Sequence, residues 1–114
     1  MEMAVQLCVT LKNKKIPSVM RSAINQLIRC SSSVAANFRA ATRARSEAEF
    51  YAKICIVTEE CDETLFWLDY LIGVAVLNRD EIQEIRSEVD KLTRLFGTIK
   101  SKMKVKMERN KRNG

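Results

Sequence analysis

Apolar residues in the second half of this chain recur at alternating steps of three and four, for far longer than any strand could use. Between Ser46 and Val76 the series is Phe50, Ile54, Val57, Cys61, Leu65, Leu68, Ile72 and Ala75. After a polar break at Asn78, Arg79 and Asp80 it resumes as Ile82, Ile85, Val89, Leu92, Phe96, Ile99 and Met103. A 3.6-residue period collects such positions on one helix face, whereas a half-buried strand needs alternation at every second residue. Three Gly and one Pro in 114 residues also leave too few turn formers for a sandwich or a barrel.

The same reading divides the whole chain into four segments. A short helix is expected from about Glu2 to Lys12, with Val5, Cys8 and Leu11 on one face and Ala4 and Leu7 beside them. Pro17 suits a helix's first turn, so a second helix is expected from there to about Ala44. Its core face is Met20, Ile24, Leu27, Ile28, Ser31, Val34, Ala35, Phe38 and Ala41, with a mild bend at Ser31, Ser32 and Ser33, whose hydroxyls can bond to the preceding turn. Ser46 and Glu49 form an S-x-x-E capping box, which starts the third helix. Asn78 or Asp80 is the candidate cap of the fourth, which Gly97 weakens by about 1 kcal/mol relative to Ala. Long helices joined by short connections run antiparallel. The fold class expected is all-α, an antiparallel up-down four-helix bundle over residues 1–99, with residues 100–114 as a basic extension of helix four or a flexible tail. A long coiled coil fits less well, because helices two and three carry more than a two-position stripe.

Composition removes most chemistry. The chain has no His, the commonest general base and nitrogen metal ligand. A thiol nucleophile would lack its imidazole, di-iron E-x-x-H motifs cannot exist, and no Gly-rich phosphate loop is present. No catalytic residue, cofactor or metal is therefore expected. Glu59, Glu60, Asp62 and Glu63 form the one carboxylate cluster, read as paired with Arg29, Arg39 or another base, as solvent-exposed, or, least favoured, as a divalent-cation site. The four cysteines, Cys8, Cys30, Cys55 and Cys61, lie at helix-interior positions and read as core thiols. With no apolar span of about 18 residues and no leader pattern, the expected address is the cytoplasm.

The net charge of +6 is unevenly placed. Residues 1–99 hold 13 Lys or Arg and 13 Asp or Glu. The whole excess lies in Lys100, Lys102, Lys104, Lys106, Arg109, Lys111 and Arg112, opposed by Glu108 alone. Such a segment suits phosphate neutralisation, with Arg39, Arg43 and Arg45 as candidate helpers. An amphipathic contact with an anionic membrane and a solvated, frayed terminus are the other readings.

Two features exceed what a monomer needs. The run from Leu65 to Ile72 is apolar around nearly the whole helix, so Phe66, Trp67 and Tyr70 must meet either the short first helix or another subunit. On helix two, Ser22, Gln26, Arg29, Ser33, Ala36 and Ala40 form a second row of mostly small residues. Either it lets a neighbouring helix approach, with Arg29 bonding a carboxylate across the contact, or it is a weakly polar solvent face.

The block from Gln26 to Ala41, then Arg43-Ala44-Arg45-Ser46 and Phe50, then Glu59-Glu60-Cys61-Asp62-Glu63-Thr64 to Trp67-Leu68, resembles the bacterial four-helix-bundle family named for ribosomal-RNA intervening sequences. The resemblance spans about Ile16 to Leu77, and departs in carrying Ala36 where members often have Gly. It implies a ring-shaped homopentamer, and similarity to accessory proteins of diversity-generating retroelements, which bind nucleic acid and a reverse transcriptase. The function expected is thus a cytoplasmic, non-enzymatic homo-oligomer that binds RNA or DNA non-specifically, with a protein-interaction scaffold as the alternative.

Overall fold

The Ser46 hydroxyl accepts a hydrogen bond from the Glu49 backbone N–H at 3.1 Å, while the Glu49 carboxylate reaches back to the Arg45 N–H at 3.4 Å. That is the capping-box logic with its return bond shifted by one residue, and it opens the central helix of the molecule. The computed structural model describes residues 2–113. Among them lie four α-helices: α1 (Glu2–Lys12), α2 (Arg21–Thr42), α3 (Glu47–Gly73) and α4 (Gln83–Asn113). The all-α four-helix bundle expected from periodicity is the fold observed.

Two ion pairs show how α3 and α4 run. Asp69 bonds Arg86 at 2.7 Å near the end of α3 and the start of α4, and Glu47 bonds Lys106 at 2.5 Å at the opposite ends. The helices are therefore antiparallel. α3 packs against both α2 and α4, and the short α1 packs on α2 and α4, filling the remaining corner. The core along this assembly includes Leu27, Val34, Ile54, Val57, Cys61, Leu68, Leu71, Val89 and Phe96. Phe96 packs, tilted by 57° and with ring centroids 5.5 Å apart, on Phe38, a ring at the margin of α2's buried face.

Several local expectations shift. In α1 the buried residues are Met3, Ala4, Leu7 and Leu11, whereas Val5 is 64% exposed and Cys8 faces solvent. Both choices have helical spacing, and the set containing Met3 carries the larger side chains inward. Cys8 is accordingly no core thiol and Cys55 is half-buried, while Cys30 and Cys61 are buried as expected. Burial pushes the Cys61 thiol up to about 11 and the Cys30 thiol upward too. Pro17 adopts φ −56° and ψ 139° ahead of a 3₁₀ turn at Ser18–Met20, so regular α2 begins only at Arg21. Extended ψ keeps Pro17 outside the helix.

The α3 to α4 connection is also longer than periodicity implied. α3 stops at Gly73 because Ala75 takes φ 63°, with Val76 N–H bonding the Leu71 carbonyl and Ala75 N–H bonding the Ile72 carbonyl. This pair of bonds is a Schellman ending. Asn78 accepts from the Asp80 N–H at 2.8 Å, which closes a turn two residues long rather than capping α4. The serines of α2 do bond backward, Ser32 to the Ile28 carbonyl at 2.7 Å, within one continuous helix.

Candidate nucleic-acid interface

α4 is 31 residues long, about 46 Å at 1.5 Å per residue, against 22 residues for α2. Its partner α3 begins at Glu47, level with Lys106, so among the described residues the last two turns of α4 extend past the start of α3. The overhang lengthens a bundle already elongated by the 27-residue α3. The extents are 57 × 22 × 21 Å and the radius of gyration is 16.2 Å, where a compact chain of this length would give about 13 Å. Lys, Arg and Met are good helix formers, and Lys111 and Arg112 in the last turn complement the negative end of the helix dipole. These preferences favour helix through the last turns, beyond the start of α3.

Antiparallel packing brings the candidate phosphate-binding residues to one pole. Arg39 lies in the last turn of α2, Arg43 is its C-cap, and Arg45 stands just before Ser46. A recess lined by Arg45, Ser46, Glu47, Phe50 and Met103 joins that connection to α4. The end built from residues 39–53 and 100–113 carries eleven Lys or Arg and three Asp or Glu, against nine and eleven in the rest of the chain. Lys53, on the second turn of α3, belongs to this pole and was missed in the sequence because it stands among apolar neighbours. Arg39, Arg43, Arg45, Lys102, Lys104, Lys106, Arg109, Lys111 and Arg112 are exposed, and Lys100 is half-buried.

The cations do not share one face. Residues two apart lie on opposite sides of a helix, and residues three, four or seven apart lie on the same side. Lys100, Lys104 and Lys111 thus form one row and Lys102, Lys106 and Arg109 the other. The half-buried stripe of Ile99, Met103 and Met107 runs between them. Beside the second row Val105 is 55% exposed, sharing a shallow groove with Ser101, Lys102, Lys106 and Arg109.

The candidate subunit contact lies on the α2–α3 face. Phe66 and Tyr70 are 57% and 42% exposed, and Trp67 is half-buried against the core. The Trp67 ring stands edge-on to both, with centroids 4.9 Å from Phe66 and 5.4 Å from Tyr70. Because α1 packs on α2 and α4, it does not cover these rings. Of the two coverings expected, the first helix is therefore ruled out.

Arg29 donates to both Glu60 carboxylate oxygens at 3.3 Å and to Glu63 at 2.6 Å, while Trp67 Nε1 donates to the same Glu63 oxygen at 3.3 Å. The expected pairing of the acidic cluster with Arg29 is present, and the carboxylates lie in its own chain rather than across a contact. The bonds to Glu63 and Glu60 raise the Arg29 pKa, and Arg29 in turn holds Glu63 below the usual carboxylate range. Glu59 and Asp62 stay exposed. Along the small-residue row, Ser33 is half-buried and accepts from the Asn37 amide at 3.0 Å, Ala36 is exposed and Ala40 is half-buried. Among the described residues no three acidic or thiol side chains converge on a common point that could hold a metal ion, and no helix is long and apolar enough to cross a membrane.

No protein of curated function is detectably similar in sequence. Among solved structures, one of a protein of unknown function from the S23 ribosomal protein family of Bacteroides thetaiotaomicron superposes with a TM-score of 0.71. The two are 27% identical, and the match covers 87% of this chain and 92% of that one. The sequence pattern of the 23S rRNA-intervening sequence proteins matches residues 1–98, so it takes in α1 and ends just before the cationic rows. With the bundle, the central block from Gln26 to Leu68 and this match in agreement, the chain belongs to the 23S rRNA-intervening sequence protein family.

Proposed function

We propose that this protein is a non-enzymatic, cytoplasmic, homo-oligomeric bundle that binds nucleic acid without base specificity through its cationic pole. The observation that carries the reading is the segregation of charge: one end of the rod holds eleven bases and three acids, while the remainder has slightly more acids than bases. Counterion release from a phosphate backbone rewards such clustering and is blind to base sequence. Lys100, Lys102, Lys104, Lys106, Arg109, Lys111 and Arg112 make the phosphate contacts, helped by Arg39, Arg43 and Arg45. The ribosomal-RNA association in the family's name is consistent with a nucleic-acid role. The contact between copies uses Phe66, Trp67 and Tyr70 on α3 and the row Arg29, Ser33, Ala36 and Ala40 on α2. The resemblance to retroelement accessory proteins makes a pentamer the assembly to test for and a reverse transcriptase the partner class.

If about five phosphates are engaged per chain, log affinity for duplex DNA falls with log salt at a slope near −4.5. Removal of residues 100–114 flattens that slope, and light scattering of the intact protein gives a mass above one chain. Unchanged affinity and slope after truncation would reject the pole as the site. A scaffold for another protein is the second reading, favoured by the uncovered Phe66 and Tyr70. Partner capture that survives nuclease but not Phe66→Ala would select it.

A further inference from the structure

Resting on the nucleic-acid reading, we propose that the projecting end of α4 enters the major groove of B-form duplex DNA, with its two cation rows facing the two phosphate walls. Three observations carry this. First, among the described residues the two turns of α4 beyond Lys106 extend past the start of α3, so this end is free to penetrate rather than only lie on a surface. An α-helix with side chains is about 10–12 Å across, and the B-form major groove is about 12 Å wide, whereas that of A-form RNA is too narrow for side chains to read.

Second, the cations lie on opposite sides of the helix: on the projecting turns Lys111 stands against Arg109, and just before them the exposed Lys104 stands against Lys102, while Lys106 pairs with Glu47. A helix lying on the outside of a duplex would use one row and turn the other to solvent. One seated in a groove has phosphates on both sides. Arg43 and Arg45, on the connection at the base of the projection, are placed to meet phosphates at the groove's rim.

Third, no aromatic residue follows Phe96 in the sequence, and the Phe96 ring is buried against Phe38. Sequence-neutral binding of single strands relies on rings that stack on bases, and α4 offers none beyond that point. The projecting turns carry Met107, Arg109, Asn110, Lys111 and Arg112, none of which is a ring that could serve as a stacking platform. The occupant that suits this surface is a duplex, read by its groove width.

The test uses the full-length protein and three probes of one sequence: a 20-base-pair DNA duplex, the matching RNA duplex and single-stranded DNA, each followed by fluorescence anisotropy across a salt series. The DNA duplex is expected to bind at least about tenfold more tightly than the RNA duplex, and methyl green, a major-groove ligand, is expected to be displaced. Lys104→Gln with Lys111→Gln, and separately Lys102→Gln with Arg109→Gln, should each lower the magnitude of the salt slope by about 1.8, because each pair gives up two phosphates. All four side chains are solvent-exposed, and circular dichroism checks that the helix persists. Equal affinity for the two duplexes, or a slope that responds to one row only, would overturn groove insertion while leaving the cationic pole as a binding site. Failure to bind any probe, and heparin as well, would overturn both.

Discussion

Exchanging the residues at the end of α3, Gly73→Ala together with Ala75→Gly, should stabilise the protein, because each now occupies the position better suited to the other. Ala75 holds φ 63°, a left-handed conformation that costs an L-residue with a Cβ about 1–2 kcal/mol. Glycine avoids that cost but loses about 0.4–1 kcal/mol through the greater freedom of its unfolded chain. The net gain at position 75 is about 0.5–1 kcal/mol. Gly73, by contrast, is the last residue of α3, and a Cβ added to it meets nothing within 4 Å. Alanine there should gain a further ~0.5–1 kcal/mol. The Schellman bonds from Val76 to Leu71 and from Ala75 to Ile72 are backbone bonds and survive the exchange. With an unfolding entropy of ~240 cal/mol/K for a chain of this length, a total of ~1–2 kcal/mol raises Tm by ~4–8 °C. Thermal melts followed by circular dichroism, at one protein concentration for all variants, measure it, with the two single substitutions run alongside. A lower Tm for Ala75→Gly alone would refute the left-handed assignment, and a lower Tm for Gly73→Ala alone would refute the open helical site.

Phe96 is 2% exposed and packs on Phe38, so Phe96→Ala should cost about 3–5 kcal/mol in denaturant unfolding, while Leu95→Ala next to it, 52% exposed, should stay within ~0.5 kcal/mol. Similar losses for the two would contradict the burial pattern of α4. Glu63, Asp69 and Glu81 are held below ordinary carboxylate values by bonds from Arg29, Arg86 and Lys14 respectively. Lowered folded-state values add stability that is complete above the unfolded ones, near 4.5 for Glu and 3.8 for Asp, and lost as pH falls through the folded ones. Tm should therefore decline below about pH 4.5, modestly because all three side chains are a third to a half exposed, and a Tm at pH 3 matching that at pH 7 would argue against these pairs.

Much of the fold was legible because long helices average over many side chains. Ile54, Val57, Cys61 and Leu68 all sit in the core where the 3-4 series put them, and Ser46 caps α3 as its S-x-x-E spacing implied. What escaped was local and short. In α1 two interleaved apolar sets have the same period over eleven residues, and only packing against α2 and α4 selects Met3, Leu7 and Leu11 over Val5 and Cys8. The apolar side chain of Ala75 continues the stripe of helix three, yet its backbone conformation ends that helix. The cationic segment was visible as a run of charge. That it divides into two rows, and that it meets Arg39, Arg43 and Arg45 at the same end, depends on helix geometry and on the antiparallel return of α4, neither of which a count of charges contains.

The separation of charge along a rod 57 Å long makes the molecule a compass needle for polyanions. In dilute salt, where the Debye length is about 30 Å at 0.01 M, an approaching phosphate chain exerts a torque on it before any side chain touches, and the needle arrives tip-first. Near physiological ionic strength the screening distance shrinks to about 8 Å, and this alignment is confined to the last moments of approach.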